Sequence, residues 1–552
     1  MKLSKKIFFA SLLLAGIFTC IKSKKQEPII LPAEIDSPTV SYFLVDGLSQ
    51  EIFEQEMAQG NLPHLKYLSE KGAYIKNGIV SFPSMTGYAF YPFLTGIKAQ
   101  KSGILGLRWF DRSREYGNLR NYVGRTNVNM NLDIDTSYKN LFELSDPYYT
   151  VSLNSYMNRG VTQSEIYSWA HTTSKYQTLP LFAFLRKIPG FGKSMIKNHF
   201  EHESLILQEA ISQLDNNPKV QWITFAGPDA YNHIHGTDST YLKLVRHVDN
   251  LIGEFIKAID EKGQKETRHI VIVSDHGVSD VNINMDIRDY IPELNIERGK
   301  CSEIMTSKLN KPINSLKGKD GYFVINGDLC AYLYMSDPSE KTIINKWSKR
   351  NYENLLRKYP SENNEVDLIN RIANITGVEF VAYAVNDTTV GVQVQDKKSK
   401  IIDSGNLLQY QTENGDVFNY NLDSHSDTLA KSNNQSKDEW LDQTYDSNYP
   451  DALNQLSSLF NSSGAPDLVI CSKKGYDLAK DYESIVKNFK GGHGGLRREL
   501  LSVPMILYGP KILPNQLDYA RSEDVGATCL ELLEYKVDYE LDGKILAIFR
   551  QD

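Results

Sequence analysis

Short apolar runs alternate along this chain with stretches whose apolar residues repeat every three or four positions. Runs rich in Val, Ile and aromatic residues occupy positions 40–45, 149–153, 219–226 and 269–274. Their length and β-branched content are typical of buried strands. Between the last two runs, STYLKLVRHVDNLIGEFIKAIDEKG has apolar residues at Leu244, Val248, Ile252 and Ile256. This spacing gives a helix one apolar stripe and predicts that the stripe is buried.

Strands that alternate with amphipathic helices predict an α/β fold. In such folds a mostly parallel, doubly wound sheet is covered by helices on both faces. Ligands of these sheets bind at the C-terminal ends of the strands. We therefore expect functional side chains directly after the apolar runs.

The pattern changes between about residues 301 and 465. GYFVINGDLCAYLYM, a helix-like KTIINKWSKRNYENLLRKY and VEFVAYAVNDTTVGVQVQD predict a small α+β subdomain, and the polar residues 420–465 predict long surface loops. The strand pattern returns with PDLVICSKKG and VPMILYGP. We therefore expect a catalytic core in two parts, residues 38–300 and 466–552, with the subdomain and loops of residues 301–465 inserted between them.

The N-terminal residues predict export. MKLSKK is followed by an apolar run over residues 7–19, which is too short to cross a bilayer comfortably and is typical of a signal peptide over residues 1–20. The run ends at Cys20, as in bacterial lipoprotein signals, although the preceding residues 17–19 are larger than usual there. Residues 21–37 form a polar tether. We expect a protein of the bacterial cell envelope with a lipid on Cys20; a soluble periplasmic or secreted protein is the alternative.

Charge and cysteine content exclude two classes of protein. The formal net charge of -7 over 552 residues argues against a partner of duplex nucleic acid, which would require a basic surface. The cysteines after Cys20 lie far apart, without a C-x-x-C pair, so a zinc ribbon is excluded. Cys471, within an apolar run, is expected to be a buried small hydrophobe.

Acidic and imidazole side chains follow three of the apolar runs. VSYFLVDG ends near Asp46, GPDAYNHIHG contains Asp229 and His233, VSDHG contains Asp275 and His276, and a late GGHGG adds His493. Carboxylate oxygens and neutral imidazoles are the ligands of a site for two divalent metal ions. The sequence therefore predicts a two-metal hydrolase, and zinc is the metal that we expect.

With these motifs in place, the chain from about residue 38 to residue 545 resembles the alkaline phosphatase superfamily. It is most similar to the type I phosphodiesterase/nucleotide pyrophosphatase family. The resemblance implies one metal ion held by Asp229, His233 and His493, and a second held by Asp46, Asp275, His276 and the nucleophile oxygen. It also implies in-line attack on the phosphorus of an ester and a covalent phosphoenzyme that water then hydrolyses.

The nucleophile is expected in VSFPSMTGYAFYPFLTG. Members of the family have Thr or Ser ten residues before the Gly of a terminal T-G, and counting back from Gly96 gives Thr86. A hydroxyl at that position would open the helix-like GYAFYPFL, whose N-terminal dipole favours an alkoxide. The alternative is Ser81, because Ser-Phe-Pro resembles the Thr-Phe-Pro of eukaryotic members. Ser81 leaves five extra residues before T-G, so we prefer Thr86.

One departure concerns the substrate. Nucleotide pyrophosphatases carry an Asn after the T-G turn that contacts a phosphoryl oxygen, whereas SGILGLRWFDR has Leu107 at that place and Arg108 next to it. Arg108 could supply a bidentate phosphate contact, which would suit a substrate with more negative charge. Alternatively, Arg108 pairs with Asp111 on the surface.

These features leave several functions open. The first expectation is a metal-dependent phosphodiesterase of the nucleotide pyrophosphatase type, whose substrate is a small phosphate ester such as a nucleotide or a lipid head group. A phosphomonoesterase, a phosphonate hydrolase and a head-group phosphotransferase are alternatives within the superfamily. A sulfatase is excluded, because the required C-x-P-x-R motif is absent. The alternative outside enzymes is a surface lipoprotein that binds its ligand without turnover.

Overall fold

The computed structural model describes residues 30–550 except 35, 113–117, 124–128, 166–198, 300–315, 351–358, 361–364, 421–433 and 482–487. The expected signal peptide, Cys20 and most of the expected tether therefore lie outside the described residues, as does Cys301.

Strands make up two large sheets and three small ones in the described part of the chain. In chain order they are β1 (Thr39–Val45), β2 (Ala73–Ile79), β3 (Arg108–Asp111), β4 (Asn118–Asn121), β5 (Thr150–Leu153), β6 (Gln163–Glu165), β7 (Val220–Phe225), β8 (Arg268–Val273), β9 (Ser279–Asn284), β10 (Ile296–Arg298), β11 (Gly321–Asn326), β12 (Cys330–Met335), β13 (Tyr359–Pro360), β14 (Glu365–Val366), β15 (Val378–Asn386), β16 (Thr389–Val394), β17 (Lys397–Asp403), β18 (Leu407–Thr412), β19 (Asn434–Ser436), β20 (Leu468–Ser472), β21 (Gly475–Asp477), β22 (Gly491–Gly492), β23 (Ser502–Tyr508) and β24 (Asn515–Arg521).

The α-helices range from single turns to one long helix. They are α1 (Gln50–Ala58), α2 (Pro63–Lys71), α3 (Phe90–Thr95), α4 (Met130–Asp133), α5 (Leu141–Leu144), α6 (His199–Gln213), α7 (Gly227–His235), α8 (Ser239–Glu261), α9 (Ile343–Ser348), α10 (Leu368–Ala373), α11 (Lys437–Thr444), α12 (Ala452–Phe460), α13 (Arg498–Leu501) and α14 (Ser522–Leu532). Within α8, Leu244, Val248 and Ile252 are buried, as the apolar stripe predicted.

The central sheet has eight strands in the order β24-β2-β23-β8-β1-β7-β5-β6. Its pairs are parallel except those that β23 makes with β2 and β8. The innermost strands β1, β7 and β8 are buried along their whole length, which explains why their sequences are mostly apolar. Two clusters of buried apolar residues include alternate side chains of these strands. The prediction of an α/β fold with a mostly parallel sheet is confirmed.

A second sheet of nine strands has the order β10-β11-β12-β20-β15-β16-β17-β18-β19. It is larger than the small subdomain that the sequence predicted, and it begins before residue 301. It also includes Leu468–Ser472, which we had expected in the catalytic core. All five residues of that strand are buried, and a continuous apolar run does not reveal which of two sheets it joins.

The expectation of long surface loops over residues 420–465 is partly wrong. Lys437–Thr444 and Ala452–Phe460 are helices, and most residues of the second helix are buried. Its polar side chains are buried because they bond within the protein: Gln455 accepts a hydrogen bond from Phe82 N, and Asn454 donates one to Asp451. A polar sequence predicts exposure to solvent, but a polar side chain that forms hydrogen bonds within the protein can be buried at little cost in free energy.

The described cysteines are buried free thiols. Cys471 lies directly opposite Cys330 on the neighbouring antiparallel strand, and its expected burial is confirmed. Cys529 is also buried. Over the described ranges, no helix combines the length and the apolar character that crossing a membrane requires.

Candidate metal centre

Three central strands end side by side at one edge of the sheet. In the register, Val45 of β1 pairs with Phe225 of β7, and Leu44 pairs with Val273 of β8. Asp46 directly follows β1, and Asp275 lies two residues after β8. The parallel sheet therefore brings these two carboxylates together from distant parts of the sequence, at the edge where ligands of such folds bind.

Helix α7 supplies two further side chains. Asp229 is in its first turn and His233 one turn later, so both point from one face, and His233 Nε2 is 3.2 Å from Asp229 Oδ2. The helix has no cap from its own N-cap residue, Ala226. Instead, Glu203 of α6 accepts a 2.6 Å hydrogen bond from Gly227 N. This carboxylate satisfies a free N–H and faces the positive end of the helix.

His493 arrives from a loop near the C-terminus. Its backbone N–H donates to Gly327 O at 2.8 Å, and its carbonyl accepts from Leu329 N. The ring is oriented by Ser84, because Nδ1 lies 2.8 Å from the Ser84 carbonyl, which fixes Nδ1 as the donor. Its Nε2 atom is then the one available to a metal ion.

The predicted ligands form two compact groups that share one imidazole. The first group is Asp46, Asp275 and His276, and the second is Asp229, His276 and His493. His276 Nε2 lies 3.4 Å from Asp46 Oδ1 and 3.5 Å from Asp275 Oδ2. The rings of His276 and His493 stack with their centroids 3.6 Å apart.

His233 lies beside the second group but is not one of its three members. Its ring centroid is 5.2 Å from that of His493, and its Nε2 atom faces Asp229. The second group thus holds His276 in the place where the resemblance implied His233. All six predicted ligands nevertheless lie at one centre, since His233 contacts Asp229 directly.

Thr86 is at the same centre. Its Oγ1 atom is 3.1 Å from His276 Nε2. The expectation that Thr86 opens a helix is wrong: α3 begins four residues later, with Ala89 as its N-cap residue. Gly87 has a φ of +80°, which a regular right-handed helix does not allow, so Thr86 lies in a turn before the helix. A helix dipole is therefore a weak argument for activating this hydroxyl.

Burial and like charges dominate the electrostatics of the carboxylates. Burial and the charges of Asp275 and Asp229 raise the pKa of Asp46 well above its usual value. Burial also raises the pKa of Asp275. Asp229 differs: burial would raise its pKa, but His233 and the other imidazoles lower it below the usual value. Among the histidines, burial lowers the pKa of His493 well below its usual value.

These residues fit divalent cations. Oδ1 of Asp46, Asp229 and Asp275 is buried in each case and accepts no hydrogen bond from the described residues. Buried carboxylate oxygens are costly unless a donor or a cation compensates them. Oxygen and nitrogen donors in this mixture suit zinc and similar ions. The donor set therefore agrees with the prediction of a metal site.

Arg108 is buried, with 3% of its surface exposed. Its guanidinium donates to Ile325 O, while its expected surface partner Asp111 is itself buried and bonds to Arg120 at 3.0 Å. The alternative expectation, that Arg108 and Asp111 form an ion pair on the surface, is therefore wrong. Burial and the charges of Asp46, Asp229 and Asp275 raise the pKa of Tyr156, while the charge of Arg108 lowers it.

Sequence reasoning missed three residues around the centre. Asp328 lies 3.3 Å from His233, Glu203 caps α7, and Tyr156 packs over Gly87. The signal was weak for Asp328 and Glu203, because an acid in a hairpin turn or on a helix is usually in solvent. The aromatic residues Tyr88, Phe90 and Tyr91, which follow Thr86 in the chain, belong to the apolar core.

Comparison with known proteins identifies the family. The sequence profile described as "Type I phosphodiesterase / nucleotide pyrophosphatase" matches residues 40–328, more than half of the chain. The protein therefore belongs to the type I phosphodiesterase/nucleotide pyrophosphatase family, whose members hydrolyse phosphoric ester bonds, and the predicted resemblance is confirmed.

Individual relatives are distant. Ectonucleotide pyrophosphatase/phosphodiesterase family member 1 of Mus musculus is 23% identical over 255 residues, which are 45% of this chain and 25% of the relative. Family member 3 of Rattus norvegicus is 22% identical over 295 residues, 52% of this chain and 30% of the relative. The chain thus matches about a quarter to a third of the length of these relatives.

Solved structures share the fold. Murine ectonucleotide pyrophosphatase/phosphodiesterase 5 superposes with a TM-score of 0.51 at 12% identity, over 93% of this chain and all of that chain. The human protein of the same name gives 0.52 at 11% identity, over 93% and 100%. An inactive threonine-to-alanine variant of the murine protein has been solved in complex with AMP, with a TM-score of 0.50, 11% identity and coverage of 92% and 97%. These similarities show an alkaline phosphatase-like fold.

Proposed function

We propose that the protein is an exported phosphodiesterase of the nucleotide pyrophosphatase type, which uses two divalent metal ions and Thr86 as the nucleophile. The observation that carries this proposal is the arrangement of two carboxylate and imidazole groups around the shared His276, with Thr86 Oγ1 at 3.1 Å from its Nε2. Few other roles require so many buried acceptors beside one hydroxyl.

Each group has a distinct task in this proposal. Divalent ions at the centre would supply positive charge that lowers the pKa of the Thr86 hydroxyl and stabilises the phosphoryl and leaving-group oxygens. Asp46, Asp275 and His276 would hold the ion nearest Thr86. Asp229, His233 and His493 would hold the other, with His276 between the two sites.

The residues of the chain orient the reaction. The Thr86 hydroxyl loses its proton to water and its oxygen attacks phosphorus in line with the leaving oxygen, so that the bond to the leaving group breaks as a phosphothreonine forms and the leaving oxygen takes up a proton from water. A water molecule then attacks the phosphorus from the opposite side, which breaks the bond to the Thr86 oxygen, restores the hydroxyl and releases a phosphomonoester. Ser84 and Gly327 fix His493 through backbone contacts, so its Nε2 keeps its direction during the cycle. This placement means that little reorganisation accompanies the development of charge.

The ester class is a nucleotide or a similar small phosphodiester. Family membership and the complex of AMP with the murine family member 5 support this proposal. That complex used an inactive threonine-to-alanine variant, which agrees with a threonine nucleophile. A phosphomonoesterase is the second candidate, because Leu107 stands where nucleotide pyrophosphatases have the Asn that contacts phosphate, and the buried cation Arg108 lies next to it in the chain.

A substrate panel on the purified protein tests the function. It includes bis(p-nitrophenyl) phosphate, p-nitrophenyl phosphate, the p-nitrophenyl ester of thymidine 5′-monophosphate and p-nitrophenyl sulfate, each with zinc present. We expect the nucleotide ester to have the highest kcat/KM and the sulfate the lowest, with all turnover lost in Asp46→Asn. A protein that binds zinc but releases p-nitrophenol from none of these would instead be a binding protein.

A further inference from the structure

Asp328 connects the second sheet to the candidate metal centre. It lies in the turn between β11 and β12, with a φ of +73°, and only 3% of its surface is exposed. The turn is joined to the loop of His493 through an isolated bridge between Asp328 and His493 and through the hydrogen bond from Leu329 N to the His493 carbonyl. Leu478 N also donates to the Asp328 carbonyl at 2.8 Å. The backbone around Asp328 is therefore held from two sides.

The Asp328 carboxylate faces one nitrogen of His233. Asp328 Oδ2 is 3.3 Å from His233 Nδ1, while His233 Nε2 faces Asp229 Oδ2 at 3.2 Å. The same Nδ1 atom also lies 3.1 Å from the Gly491 carbonyl. Both neighbours of Nδ1 are acceptors, so Nδ1 carries the proton and the Nε2 lone pair is left for a metal ion.

His233 needs such a restraint more than the other ligands do. Its side chain is 21% exposed, whereas the side chain of Asp229 is 11% exposed and that of His493 4%. Packing therefore restricts the ring of His233 least. A carboxylate behind a metal-binding imidazole fixes the ring and increases the electron density on the ligating nitrogen.

We propose that Asp328 is a positioning residue, which holds the His233 ring with Nε2 directed at Asp229 and thereby strengthens metal binding at that half of the centre. The inference rests on the proposed metal binding. It assigns to the second sheet a part in the centre, although all six predicted ligands lie outside the strands of that sheet.

Zinc binding tests this role separately from turnover. Asp328→Gly removes the carboxylate at a backbone angle that glycine adopts without strain, and Asp328→Asn keeps the shape and removes the charge. Zinc affinity is measured by competition with a chromophoric chelator on the full-length protein. We expect Asp328→Gly to weaken one of two zinc sites by about 10–100-fold and Asp328→Asn to weaken it by a smaller factor.

Asp403→Asn is the matched control. Asp403 is a buried carboxylate on β17 of the same sheet, four strands away from β12, where it accepts hydrogen bonds from Gly405 N and Asn461. The Asp403→Asn variant should bind zinc with the same affinity as the unmodified protein. The melting temperature of each metal-free variant separates a metal effect from a loss of folding.

The outcomes distinguish the two proposals. If the unmodified protein binds two zinc ions and both Asp328 variants bind them equally well, the positioning role is wrong and the metal centre stands. The positioning role is also wrong if the zinc affinity of the Asp328 variants falls only as far as the melting temperature of each metal-free variant falls, because the loss would then reflect folding. An unmodified protein that binds no zinc overturns the proposed function, and this inference with it.

Discussion

Thr86 lies in a turn whose neighbours on both sides are fixed. Ser84 bonds to the loop of His493 through its hydroxyl and carbonyl, and Gly87 adopts a left-handed conformation next to Tyr156. The hydroxyl is thus held beside His276 without help from a helix N-terminus. In the proposed mechanism, its activation depends on the positive charge of metal ions held at the centre.

Thr86→Ala should abolish turnover and leave the zinc content unchanged. The oxygen is one donor among several, so its loss removes the nucleophile and spares the carboxylates and imidazoles that hold the ions. Elemental analysis and kcat on the nucleotide ester measure the two effects. Ser81→Ala is the matched control and should remain active; an inactive Ser81→Ala with an active Thr86→Ala would move the nucleophile to Ser81.

Arg108→Ala should lower kcat/KM for phosphomonoesters more than for phosphodiesters. A monoester carries one more negative oxygen, and a buried guanidinium stabilises that charge in the transition state. The difference should correspond to about 1–3 kcal/mol if the contact is a charged hydrogen bond. Arg108→Lys keeps the charge and loses bidentate geometry, so it should be intermediate. Equal losses on both esters would mean that Arg108 only supports the fold.

The structure brings the six predicted ligands together at one centre, whereas several residues around that centre were not predicted. Asp46 and Asp275 follow apolar strands of a parallel sheet, and Asp229 and His233 have a helical spacing, so local rules bring all four to one edge. Asp328 is invisible to such rules, because its role depends on how a distant hairpin packs against the centre. The start of α3 was misjudged because Gly87 turns the chain out of a helical path.

At the level of elements, the turn at Gly87 is closely packed against the loop after β5. A Cβ atom on Gly87 would lie 2.8 Å from Tyr156 Cδ2 and 3.0 Å from Met130 Cε, at a φ of +80°. Gly60 has a similar φ of +75° with nothing within 4 Å of an added Cβ. The two glycines share backbone strain and differ in packing.

Gly87→Ala should therefore cost more than Gly60→Ala. The left-handed backbone costs an alanine about 1–2 kcal/mol at either position, and overpacking adds about 1–3 kcal/mol at Gly87. Denaturant unfolding measures both values. Only Gly87→Ala should lower kcat, since the displaced turn carries Thr86. Equal unfolding energies and unchanged kcat in both variants would show that this packing does not position the nucleophile.

The sequence predicted which segments are strands more reliably than it predicted which sheet each strand joins. The four apolar runs became β1, β5, β7 and β8 because length and composition identify buried strands. Leu468–Ser472 joined the other sheet, which depends on tertiary pairing that a single apolar run does not encode. Helix α12 was missed because its buried polar side chains have partners elsewhere in the chain.

At the scale of the whole molecule, the region between the two parts of the expected core supports the centre. Gln455 of α12, which belongs to this region, accepts a hydrogen bond from Phe82 N, while Gln100, in the first part of the expected core, donates to Phe82 O. These contacts satisfy both backbone groups of Phe82, four residues before Thr86. The inserted region therefore braces the site from outside the parallel sheet.

Cys20→Ala tests the expected lipid anchor on Cys20. Bacterial lipid modification attaches several acyl chains, and more than one chain is needed for stable membrane binding. The variant should leave the membrane fraction for the soluble exported fraction or stay uncleaved, with zinc content unchanged. If mass spectrometry of the unaltered protein shows an unmodified N-terminus downstream of residue 20, the lipid anchor is contradicted and a soluble exported enzyme remains.

The proposed two-metal centre is tested most directly by the zinc content of the purified protein, measured together with turnover. Such a centre predicts two zinc ions per chain, loss of both turnover and metal on treatment with a strong chelator, and recovery of turnover as the second equivalent of zinc is restored. Full turnover of the nucleotide ester by a protein with one zinc ion or none would contradict it.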